Sequence, residues 1–377
     1  MTTVCLAANT VRDGNGGGFV WTYLNWALGL RSLGCEVIWL EHVLPEDHLG
    51  RLVPLLEARL RPYGLDRIAL VMEDGSPVRH RAAAGHLDLA AAAAEADLLL
   101  NVSYQLSPAV VGRFSRTALL DIDPGLCQLW WSKGWFELAQ HDVYVTTGET
   151  VGTPAALFPD CGVEWHHVPP SVALDWWTPA GAEPTRGFTT VSNWSTFEEW
   201  MEDDEGAYYS NDKRDGFLPY LELPSLVDTP LELALPLDEG GVPDELTDRG
   251  WLVADADVVA RTPDDYQTYI RFSLGEFSCV KPSCVRLQNA WVSDRTICYL
   301  ATGRPAVVEH TGPSRILPDG EGLLRFATIE GAADRLRTVA SDYERQSTLA
   351  RRLAEEHFDA RKNAGRLLEV ALAVSAR

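Results

Sequence analysis

The stretch from Ser293 to Gly312, SDRTICYLATGRPAVVEHTG, constrains the fold more than any other part of this chain. Ser293 is a good N-cap, and about one helix's worth of residues follows it to Thr302. Gly303 stands where a helix stops in a left-handed turn, and Pro305 forces Arg304 to extend. Ala306-Val307-Val308 then reads as a short buried parallel strand. A helix N-terminus therefore points out of a loop, and a strand follows the helix. Such an end gathers unpaired backbone N–H groups and a partial positive charge, which suits a phosphate. Arg295, in the first turn, is unfavourable against the helix dipole unless an anion sits nearby. The same residues also fit a plain surface helix carrying an ordinary arginine.

The N-terminal half repeats this logic. Residues 3–8 form a strand, the loop NTVRDGNGGG follows, and Phe19 to Leu33 is a helix with Val20, Tyr23, Leu24, Ala27 and Leu28 on one face. Gly34 ends it, and Glu36 to Leu40 is the next strand. This is a Rossmann-type opening, but without a spaced G-x-G-x-x-G and without an acid at the ribose position. Strands and helices go on alternating through residues 67–72, 97–102, 117–121 and 143–147, which predicts a parallel sheet covered on both faces. Ligands then bind in the loops after strand carboxyl ends, which here carry Asp13, Asp121, Asp123 and Gly148-Glu149.

At 377 residues the chain is too long for one ordinary core, and two domains are expected. The best linker is the proline-rich 178–187, giving domains at 1–177 and 188–377. Beyond it the α/β pattern restarts with a strand at 188–192. An acidic, irregular stretch around 194–216 is expected on the surface, and residues 330–373 are nearly all helix. No apolar run approaches the ~18 residues that span a bilayer, and no signal peptide is visible at the start. The seven cysteines are scattered and odd in number, with no C-x-x-C pair, as in reduced thiols of a cytoplasmic protein. A net charge of −22 argues against nucleic acid or an anionic membrane as partner, so a diphosphate ligand needs cations concentrated locally.

Taken together, GEFSCVK (275–281), the segment 292–326 and the N-terminal GGGFVWTYLNWALGLRSLGCEVIWLE resemble the GT-B glycosyltransferases, close to their group-1-like members. The resemblance implies two Rossmann-like α/β domains facing a cleft, with the nucleotide-sugar donor on the second domain and the acceptor on the first. It implies transfer of a sugar to a small-molecule acceptor, with the nucleotide sugar as co-substrate and no further cofactor. Two other activities fit the same architecture: a nucleotide-sugar epimerase, and a catalytically silent nucleotide-sugar-binding protein. One departure matters. Many retaining members hold ribose and sugar with two glutamates around the helix, and counting back from Gly303 those positions are Ala290 and Cys298. Neither can accept as an anion.

The donor side is expected at Lys281, Ser293, Asp294, Arg295, Thr296, Thr311 and Gly312. Lys281 and Arg295 would clamp the leaving diphosphate. Glu276 and Glu309 could accept from ribose or sugar hydroxyls, or could be solvated acids. If the reaction inverts configuration, the acceptor needs a base from the first domain. Asp13 is the first choice, with Asp123 and Glu149 behind it. Gly16, Gly17 and Gly18 permit close approach on the acceptor side, and the aromatic faces of Trp130 and Trp131 suit a sugar or flat acceptor. Asp121-x-Asp123 has the spacing of a metal-binding pair, but it also reads as a turn before Pro-Gly, away from the diphosphate site, or as an acceptor-side pair. His166 and His167 point to opposite sides of a strand and form no zinc site. The expected donor site uses no metal.

Overall fold

The computed structural model describes residues 1–11, 16–44, 48–76, 78, 86–181, 183–195, 200–202, 206–237 and 242–373. The chain forms two compact units. The first unit holds a wholly parallel sheet of eight strands. They are β1 (Thr3–Ala8), β2 (Glu36–Val43), β3 (Ile68–Met72), β4 (His86–Leu87), β5 (Leu98–Asn101), β6 (Thr117–Asp121), β7 (Val143–Thr146) and β8 (Trp165–His167). Their order is β4-β3-β2-β1-β5-β6-β7-β8. The order reverses between β1 and β5, which makes the carboxyl ends there a natural ligand position. The strands are apolar on both faces because helices cover both, and Cys5, Ile38, Leu40, Val71 and Leu99 are buried in one layer. Helices α1 (Gly17–Ser32), α2 (Leu49–Leu60), α3 (Leu89–Glu95), α4 (Pro108–Val111) and α5 (Leu126–Ser132) supply that cover.

The second unit has six parallel strands: β9 (Phe188–Val191), β12 (Leu231–Leu235), β13 (Leu252–Asp255), β14 (Gly275–Ser278), β15 (Ala306–Glu309) and β16 (Leu323–Phe326). Their order is β13-β12-β9-β14-β15-β16. A small antiparallel pair, β10 (Trp200–Glu202) with β11 (Tyr208–Ser210), lies in the stretch expected to be irregular. Helices α6 (Lys213–Phe217), α7 (Asp244–Thr247), α8 (Ala256–Val259), α9 (Pro263–Arg271), α10 (Pro282–Leu287), α11 (Asp294–Ala301), α12 (Ile329–Ser341) and α13 (Tyr343–Leu353) belong to this unit. Phe188, Phe217, Trp251, Phe277 and Phe326 centre its core. The opening motif folds as its residues dictate. Ser293 Oγ caps α11 by accepting from the Arg295 N–H at 3.2 Å, and Gly303 is left-handed at φ +74°.

The unit boundaries depart from the expected 177/188 division. The change comes at Ala173/Leu174, and the last segment, Asp359–Arg377, belongs to the first unit. Its helix α14 (Ala360–Ala373) packs on α1 where Gly29 leaves room; a Cβ on Gly29 would fall 2.5 Å from the Ala360 carbonyl oxygen. Asn363 Nδ2 donates to the Pro169 and Pro170 carbonyls, both at 3.2 Å, and Arg361 Nη1 donates to the Ser32 carbonyl at 2.6 Å. These are contacts across long sequence separations, and the local helical pattern of 330–373 carries no mark of them.

Candidate functional site

In the second unit, the loops after β14 and β15 meet the start of α11 around a recess of about 20 Å³, room for one water. Ser293, Arg295, Thr296, Glu309 and Thr311 line it, joined by Ser278 and Arg325. These residues come from four separate segments, and the parallel topology brings them to the carboxyl edge of the sheet. The loop before α11 is held tightly. Gln288 and Ala290 both adopt left-handed backbone, at φ +49° and +55°, a strained state for residues other than glycine. The Ala290 N–H donates to the Thr311 carbonyl at 2.9 Å, and Thr311 Oγ1 donates to the Trp291 carbonyl at 2.8 Å. Gly312 completes the bend at φ +128°, where a Cβ would lie 2.6 Å from the Gln288 carbonyl oxygen.

Arg295 and Glu276, expected as separate donor contacts, form an ion pair. Arg295 Nε donates to Glu276 Oε1 at 2.7 Å. Its Nη1 donates to the Val191 carbonyl at 3.0 Å, and its Nη2 donates to Ser278 Oγ. The Glu276 side chain is completely buried, and its Oε2 has no hydrogen-bond partner. Arg295 is thus turned down onto β9 and β14, with one edge on the recess, rather than extended into solvent as a free clamp. Glu309 is anchored as well: Oε1 accepts from the Tyr220 hydroxyl at 2.9 Å and Oε2 from the Val280 N–H at 3.0 Å. Burial raises its pKa, and those two hydrogen bonds with the nearby Lys213 charge pull it back. Lys281 sits half-buried at the N-cap of α10, and Asp294 is half-buried in the first turn of α11. Arg286 lies over the Tyr209 ring, 3.9 Å from its centroid. Ala290 and Cys298, the two positions singled out in the sequence, are both buried.

Lys213 was not foreseen. Its amine is buried, donates to the Cys279 carbonyl, and sits 5.7 Å from the Phe217 ring centroid. Burial, then the charges of Arg295 and Lys281, push its pKa down to about 8. Beside it, Asn211 Oδ1 accepts from the Ser283 N–H at 2.9 Å, while Asn211 Nδ2 and Ser283 Oγ are buried with no partner. The sequence signal was a basic pair, Lys213-Arg214, inside an otherwise acidic stretch.

In the first unit, Asp13 lies outside the described residues. The chain leading to it is held by Glu41, a fully buried acid at the end of β2. Its carboxylate accepts from the Thr10 N–H at 2.9 Å, the Val11 N–H at 3.3 Å and Trp39 Nε1 at 2.8 Å, and also from the Thr10 hydroxyl. An acid following the apolar run VIWL inside the strand was the signal for it. Gly16–Gly18 group with the second unit: the Gly17 N–H donates to the Ala260 carbonyl at 2.7 Å, and a Cβ there would collide with Thr262. The missing side chain of Gly17 serves this backbone contact, and that of Gly18 leaves room for the Tyr266 ring.

Asp121 is a hub. Oδ1 accepts from the Tyr104 hydroxyl at 3.1 Å and the Asp123 N–H at 3.0 Å; Oδ2 accepts from Gln128 Nε2 and Thr146 Oγ1, both at 2.8 Å. Burial lifts its pKa to about 6. With four donors on its two oxygens, Asp121 is committed to building the turn. No group of three or more candidate metal ligands occurs among the described residues. Asp123 is half-buried beside it, and Glu149 is buried in the loop after β7. Trp130 lines a pocket of about 730 Å³ at the carboxyl ends of β2, β3 and β5, whereas Trp131 stacks on Tyr144 with centroids 5.8 Å apart. No helix among the described residues is long and apolar enough to cross a membrane.

With its two parallel sheets in two units, the chain has the GT-B fold. Solved structures agree. An α-glucosyltransferase in complex with UDP and a 13-mer DNA containing a central A:G mismatch matches with a TM-score of 0.58 at 11% identity, over 99% of this chain and 100% of its own. HepE from Anabaena in complex with UDP gives 0.56 at 11%, over 99% and 100%. AviGT4, a glycosyltransferase involved in avilamycin A biosynthesis, gives 0.56 at 15%, over 99% and 98%. No protein-family model matches the chain. No curated protein matches it.

Proposed function

We propose that this protein is a glycosyltransferase that binds a nucleotide-sugar donor on its second unit and a small-molecule acceptor on its first. The observation that carries the reading is the convergence of Ser293, Arg295, Thr296, Glu309 and Thr311 on one recess at a strand-end position, next to a helix N-terminus. The nucleotide and sugar groups named for the similar structures support the donor class.

In this reading the diphosphate meets the N-terminus of α11, with Lys213, Lys281 and Arg295 supplying charge that a strongly acidic chain otherwise lacks. As the bond from the anomeric carbon to the diphosphate breaks, negative charge grows on the leaving oxygen, and these groups stabilise it without a metal. Ion pairing with Glu276 fixes the Arg295 fork before the ligand arrives, so little reorganisation is needed. With Ala290 and Cys298 at the family's glutamate positions, the reading favours inversion. A first-unit carboxylate then takes the proton of the attacking acceptor, Asp13 first, with Asp123 or Glu149 as substitutes.

A thermal-shift screen over nucleoside diphosphates and nucleotide sugars tests this. A true donor at ~100 times its Kd adds ~2.7 kcal/mol of stability. No shift with any nucleotide would defeat the reading.

A further inference from the structure

The pocket of the first unit has a chemistry that selects its ligand. Four aromatic side chains line it: Tyr104, Trp130, Trp135 and Phe136. Trp130 and Phe136 meet edge to face, with centroids 6.3 Å apart. Two carboxylates, Glu73 and Glu137, stand on its rim, both exposed, and no lysine or arginine lines it among the described residues. At about 730 Å³ it has the size of a small-molecule site. One wall is built in advance. Tyr104 is held in left-handed backbone at φ +59°, its hydroxyl donating to Asp121 and accepting from the Asp123 N–H at 2.9 Å. Strain of that kind persists only where the surroundings enforce it.

We infer that the acceptor pocket takes a flat, largely apolar molecule bearing a protonated amine. The aromatic walls supply area and faces that attract a cation, and the two rim carboxylates complement the ammonium. Among the described residues, the formal charges that face an anionic ligand there are these two carboxylates. A purely polar ligand would leave the aromatic faces unused. The word acceptor rests on the proposed transfer reaction; the binding preference does not.

Three probes of one shape separate these outcomes: 2-(aminomethyl)naphthalene, 2-(hydroxymethyl)naphthalene and 2-naphthoate, titrated by calorimetry at low salt. The amine should bind about three- to tenfold more tightly than the alcohol, and the carboxylate should not bind. Trp130→Ala should weaken both the amine and the alcohol. The double variant Glu73→Gln/Glu137→Gln changes only exposed groups, and it should bring the amine and the alcohol to equal affinity. Naphthoate binding as well as the amine, or an unchanged amine-to-alcohol ratio in the double variant, would overturn the inference, as would no binding of any probe. A parallel titration with UDP, ADP and GDP on the same sample keeps the two proposals apart: nucleotide binding with no amine preference sinks this inference alone.

Discussion

Arg295→Ala is expected to damage stability as well as donor binding, and the structure gives the size of the first effect. The guanidinium holds Glu276 at 2.7 Å and also bonds Val191 and Ser278. Glu276 is completely buried, and its second oxygen already lacks a partner. Removing Arg295 leaves a buried carboxylate with nothing bonded to either oxygen. Breaking such a pair from one side costs about 3–5 kcal/mol. The double variant Arg295→Met/Glu276→Leu removes both charges and should return most of that stability, because a well-packed apolar pair replaces a buried ion pair at little cost. Donor affinity should not return with it, since a charge-assisted contact worth ~1.5–3 kcal/mol is still absent. Urea unfolding followed by tryptophan fluorescence, beside calorimetry with the donor, separates the two effects. Arg295→Ala unfolding within ~0.5 kcal/mol of wild type would refute the buried-pair argument. Full donor affinity in the double variant would refute the diphosphate role.

Three further outcomes are expected. Asp13→Asn should keep donor affinity but lose roughly 10²–10⁴ in turnover, seen in steady-state rates; a full rate would move the base to Asp123 or Glu149. Activity should survive EDTA, and a loss restored by magnesium or manganese would contradict the metal-free leaving-group argument. Burial lowers the His141 pKa to about 4, with the Ala139 carbonyl accepting from its ring at 2.7 Å. The unfolded chain therefore takes up this proton first as pH falls from about 6.5 to 4, and His141 withdraws up to ~3 kcal/mol of stability across that window. The stability gap between wild type and His141→Gln should narrow on going from pH 7 to pH 4 in urea titrations, and a constant gap would count against this assignment.

What was legible in the sequence had short-range causes. Ser293, Gly303 and Pro305 set the limits of α11 and β15 through local backbone rules, and both elements formed as expected. Alternating apolar runs revealed both sheets, since a parallel strand covered on two faces has to be apolar throughout. Side-chain partnerships across the sheet were not legible. Arg295 and Glu276 looked like two independent contacts because nothing local indicates that β14 and the first turn of α11 face each other. Lys213 was hidden in an acidic stretch, and only its long-range bond to Cys279 makes it a buried amine. The return of α14 to the first unit depends on Gly29 and on Asn363 meeting Pro169 and Pro170, contacts far apart along the chain. Glu41 could have been found, because an acid within a strand buried on both faces needs donors, and Thr10, Val11 and Trp39 supply them.

The central claim is that the protein breaks the bond between a sugar and a nucleoside diphosphate. The most direct measurement incubates it with UDP-, ADP-, GDP- and dTDP-sugars, with and without aminated aromatic acceptors, and follows nucleoside diphosphate and sugar products by chromatography and mass spectrometry. One donor should release its nucleoside diphosphate slowly in water and faster with an acceptor, and Lys213→Met and Arg295→Lys should both slow this release. A donor that binds but is recovered intact with every acceptor, or is recovered as its epimer, would contradict the claim.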